Sequence, residues 1–332
     1  MAIEGRKARI SGCGSYLPET VITNDDLSRM VDTSDDWIVP RTGIRERRVV
    51  RVGEEASSDL GLAAARGALE MAGTSPAELD LVIAATITPD HIFPNAACLI
   101  QQKLGAERAG AFDLAAACSG FIYALDVAKQ FVAAGSCEKV LVVGVDCMSM
   151  LTNWEDRNSC IIFGDGAGAV VVEPSRGAGD GEIFRSRLGA KGESEHFLVK
   201  AGGSRYPVTQ DAIAAGDQYL RMEGRKVFRF AVDKMQELLE EAIRTNGFRM
   251  SDIRWVVPHQ VNRRIIESAF KKLDIPLERV VMNIDRVGNT SAASVPTALD
   301  EAVRDGRIQR GDLCAMVAFG AGLAWASTIV RW

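Results

Sequence analysis

The chain has 332 residues, 47% of them hydrophobic and 25% charged, with 31 glycines, 10 prolines and a formal net charge of −5 at pH 7. That profile excludes a disordered or fibrous chain and argues against general affinity for nucleic acid or anionic membrane. The length calls for two domains or two tightly packed halves around an ample core.

Apolar runs alternate with longer amphipathic segments, the pattern of an α/β protein with largely buried sheets. In chain order the sequence predicts a strand over 7–13, a helix start where Asp36 precedes Trp37, and a helix over 55–72 opened by Ser57-Ser-Asp and stopped by Gly73. A strand over 80–87, a helix over 94–104, a strand over 109–114, a helix over 118–134 and strands over 139–146 and 160–172 follow. The turn-forming stretch 174–180 marks a boundary between an N-terminal half, 1–174, and a C-terminal half, 175–332. Beyond it come a strand over 183–189 and a polar, glycine-bearing surface excursion over 190–222. The second half closes with a helix over 227–246 stopped by Gly247, a strand over 253–258, a helix over 262–273, a strand over 279–284, a helix over 291–304, and strands over 312–319 and 324–331. The order of elements is similar in the two halves, which suggests a duplicated fold.

The seven cysteines are scattered, with no C-x-x-C pair and no His/Cys cluster at metal spacing, so no metal and a reducing cytoplasmic setting are expected. The N-terminus lacks the apolar core of a signal peptide, and no run approaches the ~18 apolar residues of a membrane span.

Cys118 stands in the run Gly110-Ala-Phe-Asp-Leu-Ala-Ala-Ala-Cys-Ser-Gly, at a strand-to-helix turn built of small residues. A helix N-terminus presents unpaired N–H groups and the positive end of the dipole, both of which favour the nucleophilic thiolate. A buried structural cysteine fits the same run. Of three histidines, His91 lies in a turn-like segment and His196 in the polar excursion, whereas His259 follows the strand ending Trp-Val-Val-Pro, at the end of a rigid element where α/β sites gather. A capping or packing histidine is the plainer reading. Asn289 stands in Asp285-Arg-Val-Gly-Asn-Thr-Ser and reads locally as a turn residue ahead of a capped helix. Ala318-Phe-Gly-Ala-Gly-Leu is a glycine-interrupted turn that either exposes N–H groups to an oxyanion or simply closes a hairpin.

Taken together, in this order and spacing, these stretches resemble the condensing enzymes of the thiolase superfamily, most closely the 3-oxoacyl-[acyl-carrier-protein] synthase III family. Ile10-Ser-Gly-Cys-Gly-Ser-Tyr-Leu-Pro, Thr33-Ser-Asp-Asp-Trp-Ile, Arg41-Thr-Gly-Ile-Arg-Glu-Arg and the terminal Val-Arg-Trp extend the match over nearly the whole chain. The resemblance implies a five-layer αβαβα thiolase-like fold from two similar halves, a homodimer, and a catalytic set Cys118, His259 and Asn289. It further implies an oxyanion hole from the N–H groups of Cys118 and Ala321, the latter standing where many relatives carry glycine. Coenzyme A (CoA) contacts are implied at Trp37, Arg41, Arg157, Gly224, Phe228 and Asn262, with Trp37 and Arg157 on the two faces of the adenine. Phe93 corresponds to a residue that floors the partner subunit's acyl pocket, although a plain core phenylalanine fits as well. An acyl-CoA primer and malonyl-acyl carrier protein are the implied substrates, with no cofactor.

Arg225, Lys226, Arg229, Arg263, Arg264, Lys271 and Lys272 concentrate positive charge on two predicted helices of an acidic chain. They suit the docking of an acidic carrier protein, with Arg229, Arg264, Lys271 and Lys272 as the main candidates; solvated helix faces are the alternative. A biosynthetic thiolase would need a second catalytic cysteine, and Cys314 lies on a predicted strand. An elongating synthase would need a histidine where Asn289 stands, and no G-x-G-x-x-G element supports a nucleotide-binding dehydrogenase. A related synthase of a specialised-metabolite pathway is the remaining alternative.

Overall fold

The computed structural model describes residues 6–177, 179–193 and 197–332, for 225–227 the backbone only. The first half runs β1 (Ala8–Tyr16), β2 (Thr20–Thr23), α1 (Asn24–Ser28), α2 (Asp35–Thr42), β3 (Glu46–Val49), α3 (Ser57–Ala72), β4 (Leu81–Ala85), α4 (Ala96–Leu104), β5 (Gly110–Leu114), α5 (Gly120–Ala133), β6 (Val140–Cys147) and β7 (Asp165–Pro174). The second runs β8 (Glu182–Ile183), β9 (Arg187–Glu193), β10 (Phe197–Val199), α6 (Gln210–Ala214), β11 (Leu220–Met222), α7 (Gly224–Thr245), β12 (Trp255–Pro258), α8 (Arg263–Lys272), α9 (Ile284–Val287), α10 (Ser294–Arg304), β13 (Leu313–Gly320) and β14 (Gly322–Arg331).

The first sheet has the order β1-β7-β6-β4-β5, antiparallel on its β1 side and parallel from β6 onward. In the second, β8 and β9 both pair antiparallel with β14, then come β13 and β12, and Val280 adds one parallel bridge to Val256. Position by position and direction by direction, the two sheets repeat each other. Each lies wholly on one side of the 174–182 connection, and we propose 1–174 and 175–332 as the two units of the duplication.

The helices complete five layers. Helices α3 and α4 cover the outer face of the first sheet and α7 and α8 that of the second, each pair over its own apolar cluster. Between the sheets lie α5 and α10, buried against both. The strands here are continuous runs of Val, Ile and Ala because both sheet faces are covered. Both central helices begin alike: a one-turn 3₁₀ segment, Ala117–Ser119 or Ser291–Ala293, opens on a left-handed residue, Ala117 at φ 45° or Ser291 at φ 51°, and runs into the helix. The two turns touch each other, so two helix N-termini converge on one spot. Gly144 on β6 allows that approach, since a Cβ there would stand 2.4 Å from the Ala292 carbonyl oxygen.

Two expected strands are corrected. The 160–172 run becomes strand only at Asp165, because Cys160–Gly164 folds as turns whose apolar side chains pack under the loops. The 279–284 run makes only the Val280 bridge before α9 begins. The 190–222 excursion holds the β10–β11 hairpin and α6. No helix among the described residues is long and apolar enough to cross a membrane.

Candidate active site

Cys118 occupies the middle of the 3₁₀ turn before α5 and is 4% exposed. A helix start favours the thiolate, as the sequence suggests, but enclosure outweighs it here. Burial pushes the Cys118 thiol up to about 12, the Ser291 hydroxyl offsetting part of the rise and the buried Asp146 carboxylate adding to it. The resting group is therefore a thiol.

His259 follows β12, its backbone N–H donating to the Val317 carbonyl at 2.8 Å. Its ring meets Phe319 edge to face at 5.8 Å, and Nδ1 lies 2.6 Å from Ser294 Oγ. Burial pulls the imidazole down to about 3, so it is neutral throughout the physiological range. Asn289 is clamped by its backbone: its N–H donates to the Ile162 carbonyl at 2.9 Å and its carbonyl accepts from Gly164 N–H at 3.1 Å. Its side-chain Oδ1 accepts from Ser291 N–H at 2.9 Å, which fixes the amide orientation, and among the described residues Nδ2 has no hydrogen-bond acceptor and is left to donate.

Sequence reasoning missed the groups that hold this arrangement. Asp146, fully buried on β6, accepts from Thr86 Oγ1, Ile87 N–H and Thr88 Oγ1 in the first half, and from Ala292 N–H at 3.0 Å in the second. Arg47, the last residue of the Arg41–Arg47 motif, is buried with its guanidinium donating to the carbonyls of Ile22 and Ile161 and to Asn24 Oδ1. Its Cβ packs beneath Gly164 and Gly288, on either side of the Phe163–Asn289 bridge. No local pattern marks a buried aspartate or arginine of this kind; only the tertiary path reveals them.

Cys118, His259 and Asn289 all line one cavity of about 390 Å³, with Phe319 and Gly320 beside them and apolar walls from Ile162, Phe197, Met222 and Leu323. Gly224, Phe228 and Asn262 line it too. Ala321 is half-buried in the turn between β13 and β14, directly after Gly320, which lines the cavity and is pressed on the nucleophile. Asn262 caps α8 through Oδ1 and donates through Nδ2 to the Arg41 carbonyl at 3.0 Å, linking the cavity to an outer cluster. There Arg41 and Arg157 lie 4.5 Å and 5.0 Å from the Trp37 ring centroid. At 5.0 Å no planar base fits between Arg157 and the indole, so Arg157 must leave Trp37, and its bonds to Asp32, to admit one.

Phe93 is 84% exposed, so it is no core residue, and it is not among the residues that line the cavity. Arg264 stacks 5.8 Å from Phe228 at the cavity rim, and Arg229 is exposed on α7. Lys272 is paired with Asp233 and Arg263 with Glu267, which dilutes their charge; Lys271 is exposed, with no ion pair among the described residues. The side chains of Arg225 and Lys226, and His196, lie outside the described residues. Among the described residues no group of three or more His, Cys, Asp or Glu is placed to hold a metal.

A neutral imidazole and a carboxamide overlooking a thiol are what the resemblance to condensing enzymes implies, and comparison with known proteins decides the family. Models of 3-oxoacyl-[acyl-carrier-protein] synthase III match residues 112–192 and, for its C-terminal part, 243–332. The beta-ketoacyl-[acyl-carrier-protein] synthase III of Roseiflexus sp. (strain RS-1) is 52% identical over 327 residues, 98% of each chain. The chain belongs to the 3-oxoacyl-[acyl-carrier-protein] synthase III family. It is a condensing acyltransferase of the type that initiates type II fatty acid synthesis. The crystal structure of the synthase III from Aquifex aeolicus VF5 superimposes with a TM-score of 0.89 at 45% identity, covering 98% of this chain and 100% of the other. The priming beta-ketosynthase of the R1128 polyketide pathway superimposes with a TM-score of 0.91 at 37% identity, covering 99% and 97%.

In a family whose chemistry runs through acyl transfer, the fit of Gly320 against Cys118 becomes testable. A Cβ at Gly320 would stand 2.7 Å from the Cys118 backbone nitrogen and 3.2 Å from its Cβ. Gly320→Ala is expected to displace the turn and slow acylation by an acyl-CoA about 10²-fold, read by intact mass against time. An unchanged rate would show that this contact does not set the position of the thiol.

Proposed function

We propose that Cys118 is the nucleophile, that an acyl-CoA primer acylates it, and that malonyl-acyl carrier protein then condenses with the acyl-enzyme. The observation that carries this reading is the single cavity shared by Cys118, His259 and Asn289, in which Nδ1 and Oδ1 are already engaged and Nε2 and Nδ2 are left for substrate. Cys118 Sγ attacks the primer thioester carbonyl, whose oxyanion is held by the N–H groups of Cys118 and Ala321, and CoA departs with the thiol proton. In the second step the C–CO2 bond of the malonyl group breaks, CO2 leaves, and the electron pair moves onto the thioester oxygen. His259 and Asn289 stabilise that enolate as two neutral donors. The carbanion attacks the acyl-Cys118 carbonyl, the C–S bond breaks, and 3-oxoacyl-carrier protein leaves the free cysteine behind.

Trp37, Arg41 and Arg157 take the nucleotide end of CoA, and Gly224, Phe228 and Asn262 its pantetheine arm. Phe93 serves the pocket of a partner subunit in a homodimer, which its exposure suits. Arg229, Arg264, Lys271 and Lys272 form the carrier-protein rim, strongest at Arg264, where the charge sits beside the cavity. The seven free cysteines suit the cytoplasm. A second reading, priming of a polyketide pathway, is favoured by the likeness to the R1128 enzyme; a panel of straight, branched and longer primers presented with fatty-acid and polyketide carrier proteins separates the two.

The direct test is incubation with acetyl-CoA, mapping of the acyl group to Cys118, and addition of malonyl-carrier protein. A pH series sharpens it. Because the thiol sits near 12, its thiolate fraction rises about tenfold per pH unit below that value, and acylation should rise with it. Decarboxylation by pre-acylated enzyme should stay flat, since His259 gains a proton only as pH falls towards about 3. An acylation rate already level from about pH 7 upward would mean that the thiolate is formed at rest.

A further inference from the structure

We propose that Ser294 is the positioning residue that fixes the tautomer of His259, placing the ring proton on Nε2 so that the imidazole donates to substrate and does not act as a base. The proposal rests on the reading of His259 given above and deepens it.

Ser294 opens α10, and its Oγ lies 2.6 Å from Nδ1, with both residues buried to 1% exposure or less. Among the described residues that contact is the only hydrogen bond of the hydroxyl. If the ring proton sat on Nδ1, it would donate to Oγ and leave the serine O–H buried with no acceptor. With the serine donating to the Nδ1 lone pair both groups are satisfied, and Nε2–H is left to the cavity that His259 lines. An unmet buried donor biases such a choice by about tenfold to a hundredfold. The ring also packs nearly perpendicular to Phe319, a side chain with no proton to give and no lone pair to take one.

A serine also differs from the carboxylate that usually backs a catalytic histidine. It orients the ring without stabilising the imidazolium, as suits a donor that must stay neutral beside a developing enolate. The same short turn delivers both donors: Ser291 N–H orients the Asn289 amide, and three residues on Ser294 orients the imidazole.

The chain has three histidines, so ring-¹⁵N spectra of histidine-labelled protein are simple to assign with His259→Ala as reference. The wild-type ring is expected to be Nε2-protonated, and Ser294→Ala to give a mixture of tautomers. Ser294→Ala should also cut malonyl decarboxylation about tenfold to a hundredfold while Cys118 acylation stays within about twofold. Ser294→Thr, which keeps the hydroxyl, should restore both tautomer and rate. An Nδ1-protonated wild-type ring, or a Ser294→Ala variant with unaltered tautomer, overturns the proposal, including the case where both steps slow together. A tautomer that answers to Ser294 while His259→Ala decarboxylates normally would uphold the assignment and overturn instead the role given to His259.

Discussion

Replacing Cys118 by alanine is expected to abolish acyl transfer: acetyl-CoA should add no mass, and 3-oxoacyl formation should fall by on the order of 10⁴-fold or more. Six other cysteines exist, but none can stand in. Burial drives the thiols of Cys13, Cys147 and Cys314 strongly upward, and Cys160 to about 11, and Cys118 is the only cysteine at the cavity wall. Its high resting thiol value does not disqualify it, because the substrate carbonyl can reach it and the convergent N–H groups stabilise what forms after attack, not the thiol before it. Alanine keeps the Cβ that packs beside Gly320, so the turn should survive. Persisting adduct in the alanine variant, mapped to another residue, would dismiss Cys118 as nucleophile.

The duplicated α/β order was legible because strands buried on both faces write themselves as apolar runs, and β4, β6, β13 and the helices between them lie where those runs stand. Periodicity failed where apolar side chains serve loops. Ile161, Ile162 and Phe163 are as apolar as a strand yet turn to clamp Asn289, through Ile162 carbonyl and Gly164 N–H, and this is what brings the asparagine to the cavity. Val280 shows the opposite failure: a single bridge ends the run because Gln260 Oε1 captures Asn283 N–H and α9 begins.

At the site, the residue types at strand ends and turns were visible in the chain, whereas their supports were not. Asp146 joins halves through loops some 60 and 146 residues away in sequence, and Ser294 finds His259 across 35. Such pairs leave no spacing to read. The sign of the Cys118 shift was also hidden, since a helix N-terminus is local and can be inferred, while enclosure depends on what the second half lays over it.

Replacing His259 by alanine should separate the two half-reactions, leaving Cys118 acylation within about threefold and lowering malonyl decarboxylation about 10²- to 10³-fold. The imidazole is poorly suited to activating the thiol: Nδ1 is engaged by Ser294, burial lowers the ring to about 3 and so makes it a weak base, and the acyl oxyanion meets backbone N–H groups instead. The enolate oxygen, by contrast, depends on Nε2–H and on Nδ2–H of Asn289, so Asn289→Ala should show the same split. Because both donors serve one oxygen, the double variant should lose less than the product of the single losses. Acylation measured by intact mass and CO2 release from labelled malonyl-carrier protein, followed on the same preparations, decide the matter; equal loss of both steps in His259→Ala would return the histidine to the role of general base and make the thiol its partner.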